Sequence, residues 1–362
     1  MRDIRISIAG IVIFLISIGL VMIYSSSGVY ALKEMGEATY FLNRHLMFLC
    51  VGVIATFCVM SIDYRDLRKI AKPLLVITVV LLILVLIPHI GKSTYGARRW
   101  FRLGPINFQP SELAKLSMLI YAADFLARKK SKVSQFWDGF LPLVLVLGVI
   151  SILIVKQPDL GNTVLIASVV LVMMFIAGAN TIHIASLALL SLPVLYYLIA
   201  RVPYRLKRII AFLDPWQDSQ GIGFQLSQSQ IALGSGGILG VGLGHSVQKL
   251  FYLPAAHTDF ILSIVGEEFG LLGTLVVVAL FAAFMWQGER IVKRTTDPFG
   301  YYLGVGIVTM LGLQAVVNIG VSIGAFPTKG LPLPFISYGG SALIFNLMAV
   351  GLLLNISRMQ EL

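Results

Sequence analysis

The chain has 362 residues, 57% of them hydrophobic and only 12% charged, with a mean hydropathy of +0.89. Soluble domains carry about 25% charged residues and disordered chains far less apolar content, so both classes are excluded and a polytopic membrane protein remains. Lys and Arg outnumber Asp and Glu by 28 to 17, a net charge of +11, which makes the placement of the cations the next question.

At ~20 residues per crossing, this apolar content suffices for roughly ten helices and leaves no room for a large soluble domain. Apolar runs bounded by charge, proline or glycine predict spans at about 7–24, 45–62, 73–90, 111–127, 139–156, 162–179, 181–200, 258–286, 300–323 and 335–356. The expected fold is thus an all-α polytopic membrane protein. It forms one integral membrane domain, 1–362, with ten transmembrane helices and a large extracytoplasmic loop, about 201–257, between helices 7 and 8. The first run follows Met1, Arg2 and Arg5 without a small-residue cleavage site, so it reads as a retained signal-anchor helix. Cys50 and Cys58 share one apolar run, give no disulfide framework or metal spacing, and read as small core residues.

Orientation follows from Lys and Arg in the short loops. Arg2, Arg5, the Arg65–Lys72 and Arg128–Lys132 clusters, Arg290, Lys293, Arg294 and Arg358 fall on one side, which is then cytoplasmic and holds both termini. The other side nearly ties only because of two places, the 91–110 loop and the long 201–257 loop, where most of its cations gather. Two readings of those clusters stay open: arginines of long loops meeting lipid phosphates, or a site for an anionic substrate at the outer leaflet.

In chain order, Gly96 to Pro105 alternates aromatics with Arg98, Arg99 and Arg102, as suits an interfacial segment, and Ser111 after Pro110 is expected to cap the fourth span. Glu112 and Lys115 then lie i, i+3 about one turn into the membrane, where an ion pair points to function by default. In Gln157-Pro-Asp-Leu-Gly161, Pro158 stops one helix and Asp159 or Asn162 caps the next. The glycine-dense run Gly234–Gly244 lacks a Lys-Ser/Thr ending and a preceding strand, so a nucleotide loop is discounted in favour of close backbone packing or a re-entrant loop. Asp259 is the most conspicuous acid of the outer face, although a helix cap would also explain it. Glu267 and Glu268 lie deeper and require partners. Gly330 to Ser341, with two prolines and two glycines beside Lys329, predicts irregular backbone facing a cavity.

Tyr204-Arg-Leu-Lys-Arg208, Asp214-Pro-Trp216, Ser246-Val-Gln-Lys249, Tyr252-Leu-Pro254, His257-Thr-Asp-Phe260, Gly266-Glu-Glu268 and Gly330-Leu-Pro-Leu-Pro-Phe-Ile-Ser-Tyr-Gly-Gly-Ser341 together resemble the SEDS family of shape, elongation, division and sporulation proteins. Gln109-Pro-Ser-Glu112 and Gln157-Pro-Asp-Leu-Gly161 extend the likeness nearly end to end, and Ser246–Lys249 with Tyr252–Pro254 is more similar to the FtsW and SpoVE branch than to RodA. The resemblance implies a peptidoglycan glycosyltransferase that polymerises lipid II at the outer face of a bacterial cytoplasmic membrane, for division, elongation or sporulation. It also implies a class B penicillin-binding transpeptidase and other divisome or elongasome proteins as partners. No nucleic-acid partner is implied. Relatives commonly carry Glu where this chain has Ala255, which shifts the burden onto Asp259.

Displacing a pyrophosphate from an anomeric carbon needs one base and positive charge for the leaving group rather than a second acid. Asp259 is the candidate general base. Arg98, Arg99, Arg102, Glu112, Lys115, Arg205, Arg208, His257, Thr258, Lys329 and Ser337 are the substrate-binding candidates, with Lys115 foremost among the cations for its depth. A divalent cation such as Mg²⁺ or Mn²⁺ is an optional further counter-charge. The alternatives are a lipid II flippase, which would need a polar path to both sides, and a catalytically inert divisome scaffold.

Overall fold

In a computed structural model the described residues are 1–94, 97–104 and 106–360, so Gly96 and Pro105 of the expected interfacial stretch lie outside them. A helix forms on each of the ten apolar runs: α1 (Arg2–Met35), α2 (Tyr40–Ser61), α3 (Leu67–Leu84), α4 (Pro110–Arg128), α5 (Leu141–Lys156), α6 (Leu160–Ile176), α7 (Thr181–Ala200), α10 (Ile261–Arg294), α11 (Pro298–Ser322) and α12 (Gly340–Arg358). Two more, α8 (Pro203–Leu213) and α9 (Phe224–Ser235), lie within the long loop. Among the described residues seven helices are long and apolar enough to cross a membrane, and α6 is a shorter apolar one. Many large apolar side chains are exposed, as expected of a surface whose solvent is lipid.

Local chemistry sets the helix ends. Gly36 takes the left-handed conformation that terminates α1, and Pro110 and Pro298 occupy first turns, where no amide donor is missed. Asp159, Asn180 and Asp297 accept backbone amides at the starts of α6, α7 and α11. Ser111 does not cap α4 as expected: it lies inside the first turn, where its hydroxyl accepts from Gln109 and Asn162.

The central post is α4, buried at almost every position from Pro110 to Leu126 and packed against α3, α6 and α11. At the other extreme, α7 buries none of its residues. Arg5 reaches the Ser357 carbonyl, so both termini lie at one end of the bundle, where Asp124 of α4 pairs with Arg68 and Arg128. Cys50 and Cys58 are exposed on α2 rather than packed in the core, because they fall on its lipid-facing side.

The all-α expectation fails in one place. Lys92–Thr94 (β1), Ala97–Leu103 (β2) and Ile106–Phe108 (β3) form a three-stranded antiparallel sheet. Arg98-Arg-Trp-Phe-Arg102 lacks a strict period of two, and the aromatic pair Trp100 and Phe101, good strand formers, is what favours a strand there. The sheet leaves Arg98 and Arg102 exposed while Arg99 is half-buried.

The single span expected over 258–286 is also broken. Gly270 (φ +67°, ψ −162°) kinks α10. The break leaves the carbonyls of Glu267 and Glu268 and the amides of Leu271 and Leu272 without helical partners, and the glycine-dense loop supplies all four. Val241 and Gly242 donate to Glu267 and Glu268, at 2.9 and 3.0 Å, and Leu271 and Leu272 donate to Gly237 and Ile238, at 2.9 and 3.2 Å. This exchange requires bare backbone: a Cβ on Gly236 would lie 1.9 Å from the Gly266 carbonyl oxygen, and one on Gly240 (φ +83°) 2.2 Å from that of Glu268.

Gly240→Ala should therefore cost at least ~1–3 kcal/mol of stability through backbone strain alone. Gly234→Ala, in α9 with nothing near its missing Cβ, should be neutral or stabilising by up to ~1 kcal/mol. Thermal melting of the two purified variants in one detergent checks the contrast.

Candidate functional site

The side chains beside the kink fasten the next stretch of chain. Glu267 accepts from the Val247 amide at 2.8 Å, the Gln248 amide at 3.3 Å and the Ser246 hydroxyl. Glu268 pairs with Lys249 at 2.8 Å and accepts from Ser25 of α1 at 2.6 Å. All of these glutamate, Lys249 and Ser246 side chains are buried, so they are the partners that two intramembrane glutamates require. The loop so held leads directly into residues 250–260.

Asp259 lies in the turn just before α10. Its carbonyl accepts from the Asn318 amide of α11 at 2.9 Å, and the same amide donates to Leu331 at 2.8 Å. Asn318 thus ties the Asp259 turn to the proline segment that follows Lys329. The Asp259 carboxylate passes beside Gly330, where a Cβ would sit 3.5 Å from Oδ2. The chain there is irregular, as its prolines and glycines predict.

Two guanidiniums act on this carboxylate, and both are held by carbonyls. Arg208 of α8 donates to Thr328 at 3.0 Å, hydrogen-bonds the Tyr204 hydroxyl and lies over that ring at 4.4 Å. Arg99 of β2 donates to Gln157 at 2.8 Å and to Pro158. A carbonyl fixes a guanidinium without cancelling its charge. Burial pushes the Asp259 carboxyl up to about 6, against Arg208 and Arg99, which pull it down, while Asp159 adds to the upward push. Asp159 caps α6 and accepts from Gln109 at 3.3 Å and the Asn162 side chain at 2.9 Å, which braces β3 against α6.

Lys115 has a different environment. It pairs with Glu112 at 2.7 Å, both only 2–3% exposed, and donates to Gln314 at 3.3 Å. Gln314 in turn donates to the Pro332 carbonyl at 2.9 Å. The pair braces the proline segment from below rather than presenting its charge to the outer face.

The remaining sequence candidates divide. Arg205 donates to Leu198 at the end of α7, and burial followed by the nearby Arg99 lowers its pKa. Lys329 is also lowered by burial and stands over a cavity of about 60 Å³ lined by Val164 and Ser168 of α6 and Leu313 and Val317 of α11. His257, lowered to about 4 by burial, packs among Tyr30, Phe41 and Tyr338. Thr258 donates to the Ala255 carbonyl, and Ser337 accepts from the Leu333 amide, so both hydroxyls shape turns. Ala255 has φ +58°. Among the described residues no three His, Cys, Asp or Glu side chains gather as a metal cage. Gln314 and Asn318 escaped sequence reasoning, and Gln109 and Lys249 stood in recognised motifs without an assigned role. The available signal for the first two was an amide pair at i, i+4 in an otherwise apolar helix.

The family model described as "Cell cycle protein", covering FtsW, RodA and SpoVE, matches residues 6–362. A probable peptidoglycan glycosyltransferase FtsW from Geobacter metallireducens is 48% identical over 339 residues, covering 94% of this chain and 90% of that one. A chain from a peptidoglycan synthase complex, solved to describe coordination of polymerization and crosslinking, superposes with TM-score 0.78 at 30% identity over 96% of this chain and 97% of its own. The crystal structure of the Thermus thermophilus rod shape determining protein RodA gives TM-score 0.73 at 28% identity, over 98% and 97%.

Removing one member of the buried Lys249–Glu268 pair should be severe. Glu268→Ala is expected to cost about 3–5 kcal/mol, because it leaves a buried cation, and Glu268→Leu with Lys249→Met should recover most of the loss. Denaturation of the three proteins in detergent measures the difference.

Proposed function

We propose a reaction for this chain, which belongs to the FtsW, RodA and SpoVE family of cell cycle proteins: it polymerises lipid II into glycan strands, as an inverting glycosyltransferase. The observation that carries the reading is Asp259, a single half-buried carboxyl raised to about 6 and flanked by two carbonyl-held guanidiniums. Asp259 takes the proton from the acceptor hydroxyl of one lipid-linked sugar. That oxygen bonds to the anomeric carbon of the second, whose bond to the pyrophosphate oxygen breaks, and the pyrophosphate departs on its polyprenyl chain with the electron pair. Arg99, Arg208 and Lys329 meet the charge that develops on it. Lys115, with Glu112, is assigned a positioning role through Gln314 and Pro332. Arg98 and Arg102, exposed on β2, are suited to first contact with phosphate. No step is routed through a metal.

In this reading the chain is one membrane domain with ten crossings in a bacterial cytoplasmic membrane. The termini and the Arg68–Asp124–Arg128 cluster lie inside and the Asp259 end outside. The 48% identity to an FtsW supports a division role, and the likeness to a synthase complex chain supports a class B penicillin-binding transpeptidase as partner. Flipping is disfavoured because α4, between Lys115 and Asp124, carries only apolar residues apart from Ser117 and Tyr121 and offers no polar path.

Purified protein with its transpeptidase should polymerise lipid II, and Asp259→Asn should lower the rate about 10²–10⁴-fold while remaining folded. A wild-type rate in that variant would sink the assignment. Because the base must be deprotonated, the rate should fall as pH drops through about 6. Arg208→Ala removes the larger of the two influences that lower the Asp259 pKa, so the acid limb should move to higher pH.

A further inference from the structure

A cavity of about 900 Å³ opens between α1, α2 and the 243–250 segment. Leu20, Tyr24, Gly28 and Leu32 repeat along one face of α1, a run of ~18 Å at ~1.5 Å per residue. Leu42 and Leu46 of α2 face them, and Val247 and Leu250 form the floor. Val21, Tyr24, Val29 and Leu32 are all exposed, so the groove opens sideways along the helix. Its polar floor groups, Ser25 and Lys249, are paired with Glu268, which leaves a surface that hydrocarbon can cover without stranding a charge.

What adjoins the groove identifies its occupant. Tyr30, Phe41, Phe251, His257 and Tyr338 form an aromatic wall, with His257 and Phe41 4.5 Å apart between ring centres. Tyr30, Phe41 and Phe251 are chain neighbours of the groove residues Val29, Leu42 and Leu250, and His257 is two residues from Asp259. The aromatic wall is therefore continuous in sequence both with the groove and with the turn that carries Asp259. At the outer rim Lys33 lies 4.4 Å over the Phe251 ring and Arg44 5.1 Å over that of Tyr40. The acids of the rim are Glu34 and Glu37, and Glu37 is turned to Thr39 and Asn43. An apolar trough with cations at its outer mouth matches a long hydrocarbon chain that ends in phosphate.

The proposed reaction joins two lipid-borne molecules, so two chains must approach Asp259, and the cavity of about 60 Å³ beside Lys329, between α6 and α11, has no room for one. We infer that the α1–α2 groove seats the polyprenyl chain of the second lipid-linked sugar, which reaches Asp259 over the aromatic wall; this rests on the function proposed above.

The test is photolabelling of the full-length protein with a polyprenyl pyrophosphate bearing a diazirine on its chain. Labels should fall on residues 20–32 and 243–250, compete with unlabelled polyprenyl pyrophosphate, and resist a ten-fold excess of phosphatidylglycerol. Gly28→Phe should reduce labelling at least ten-fold, since a Cβ there meets only the Ala38 oxygen at 3.9 Å and the ring can enter the groove. Leu46→Trp blocks the opposite wall if Gly28→Phe does not fold. Equal competition by phosphatidylglycerol, which would make this a bulk-lipid groove, or labelling unchanged in both folded variants, overturns the proposal. The two readings fail separately. Labelling retained without polymerisation in the wild type would remove the reaction and leave the groove, whereas polymerisation without labelling here would remove the groove alone.

Discussion

A helix broken inside an apolar bundle exposes amides and carbonyls that lipid cannot satisfy, and everything at the outer end of this protein depends on how one such break is closed. The kink at Gly270 frees two carbonyls and two amides, and the glycine loop completes all four bonds. That backbone exchange places Glu267 and Glu268 against residues 246–249, and those residues in turn position the Asp259 turn. The same requirement governs the proline segment, whose carbonyls at Leu331 and Pro332 are met by Asn318 and Gln314. The Asp259 end is thus irregular backbone made tolerable by side-chain amides and a borrowed loop.

The cations fall into two kinds. Lys115 and Lys249 are buried against glutamates and serve as internal braces, because their charge is cancelled where they sit. Arg99 and Arg208 are fastened by uncharged carbonyls and retain their field. Only the second kind is equipped to meet a developing negative charge, and the distinction depends on partners rather than on depth.

The ten long helices were legible because each follows a mostly apolar run, and the irregular stretch before α12 was legible from its prolines and glycines. The break in α10 was not, since Gly266-Glu-Glu-Phe-Gly270 reads as a polar interruption within one span unless the distant glycine loop is known to enter there. The strands at 92–108 were not legible, because Arg98-Arg-Trp-Phe-Arg102 lacks a strict period of two and suits an interfacial belt equally well. Asp259 stood out as an outer acid. The depth of Lys115, however, suggested substrate contact because one of its partners, Gln314, lies far along the chain. Pairings between distant segments are what composition and spacing leave undetermined.

Guanidiniums clamped by Gln157, Pro158 and Thr328 do not need to move when an anion arrives or leaves. Their electric field is a standing property of the resting protein and attracts any phosphate within about 8–10 Å at physiological salt. Ordinary phospholipid headgroups, vastly more abundant than any sugar carrier, are therefore permanent rivals for the same charges. Under the proposed reaction, discrimination then comes from what a phospholipid lacks, a sugar and a chain long enough to fill a groove, and electrostatics supplies capture rather than choice.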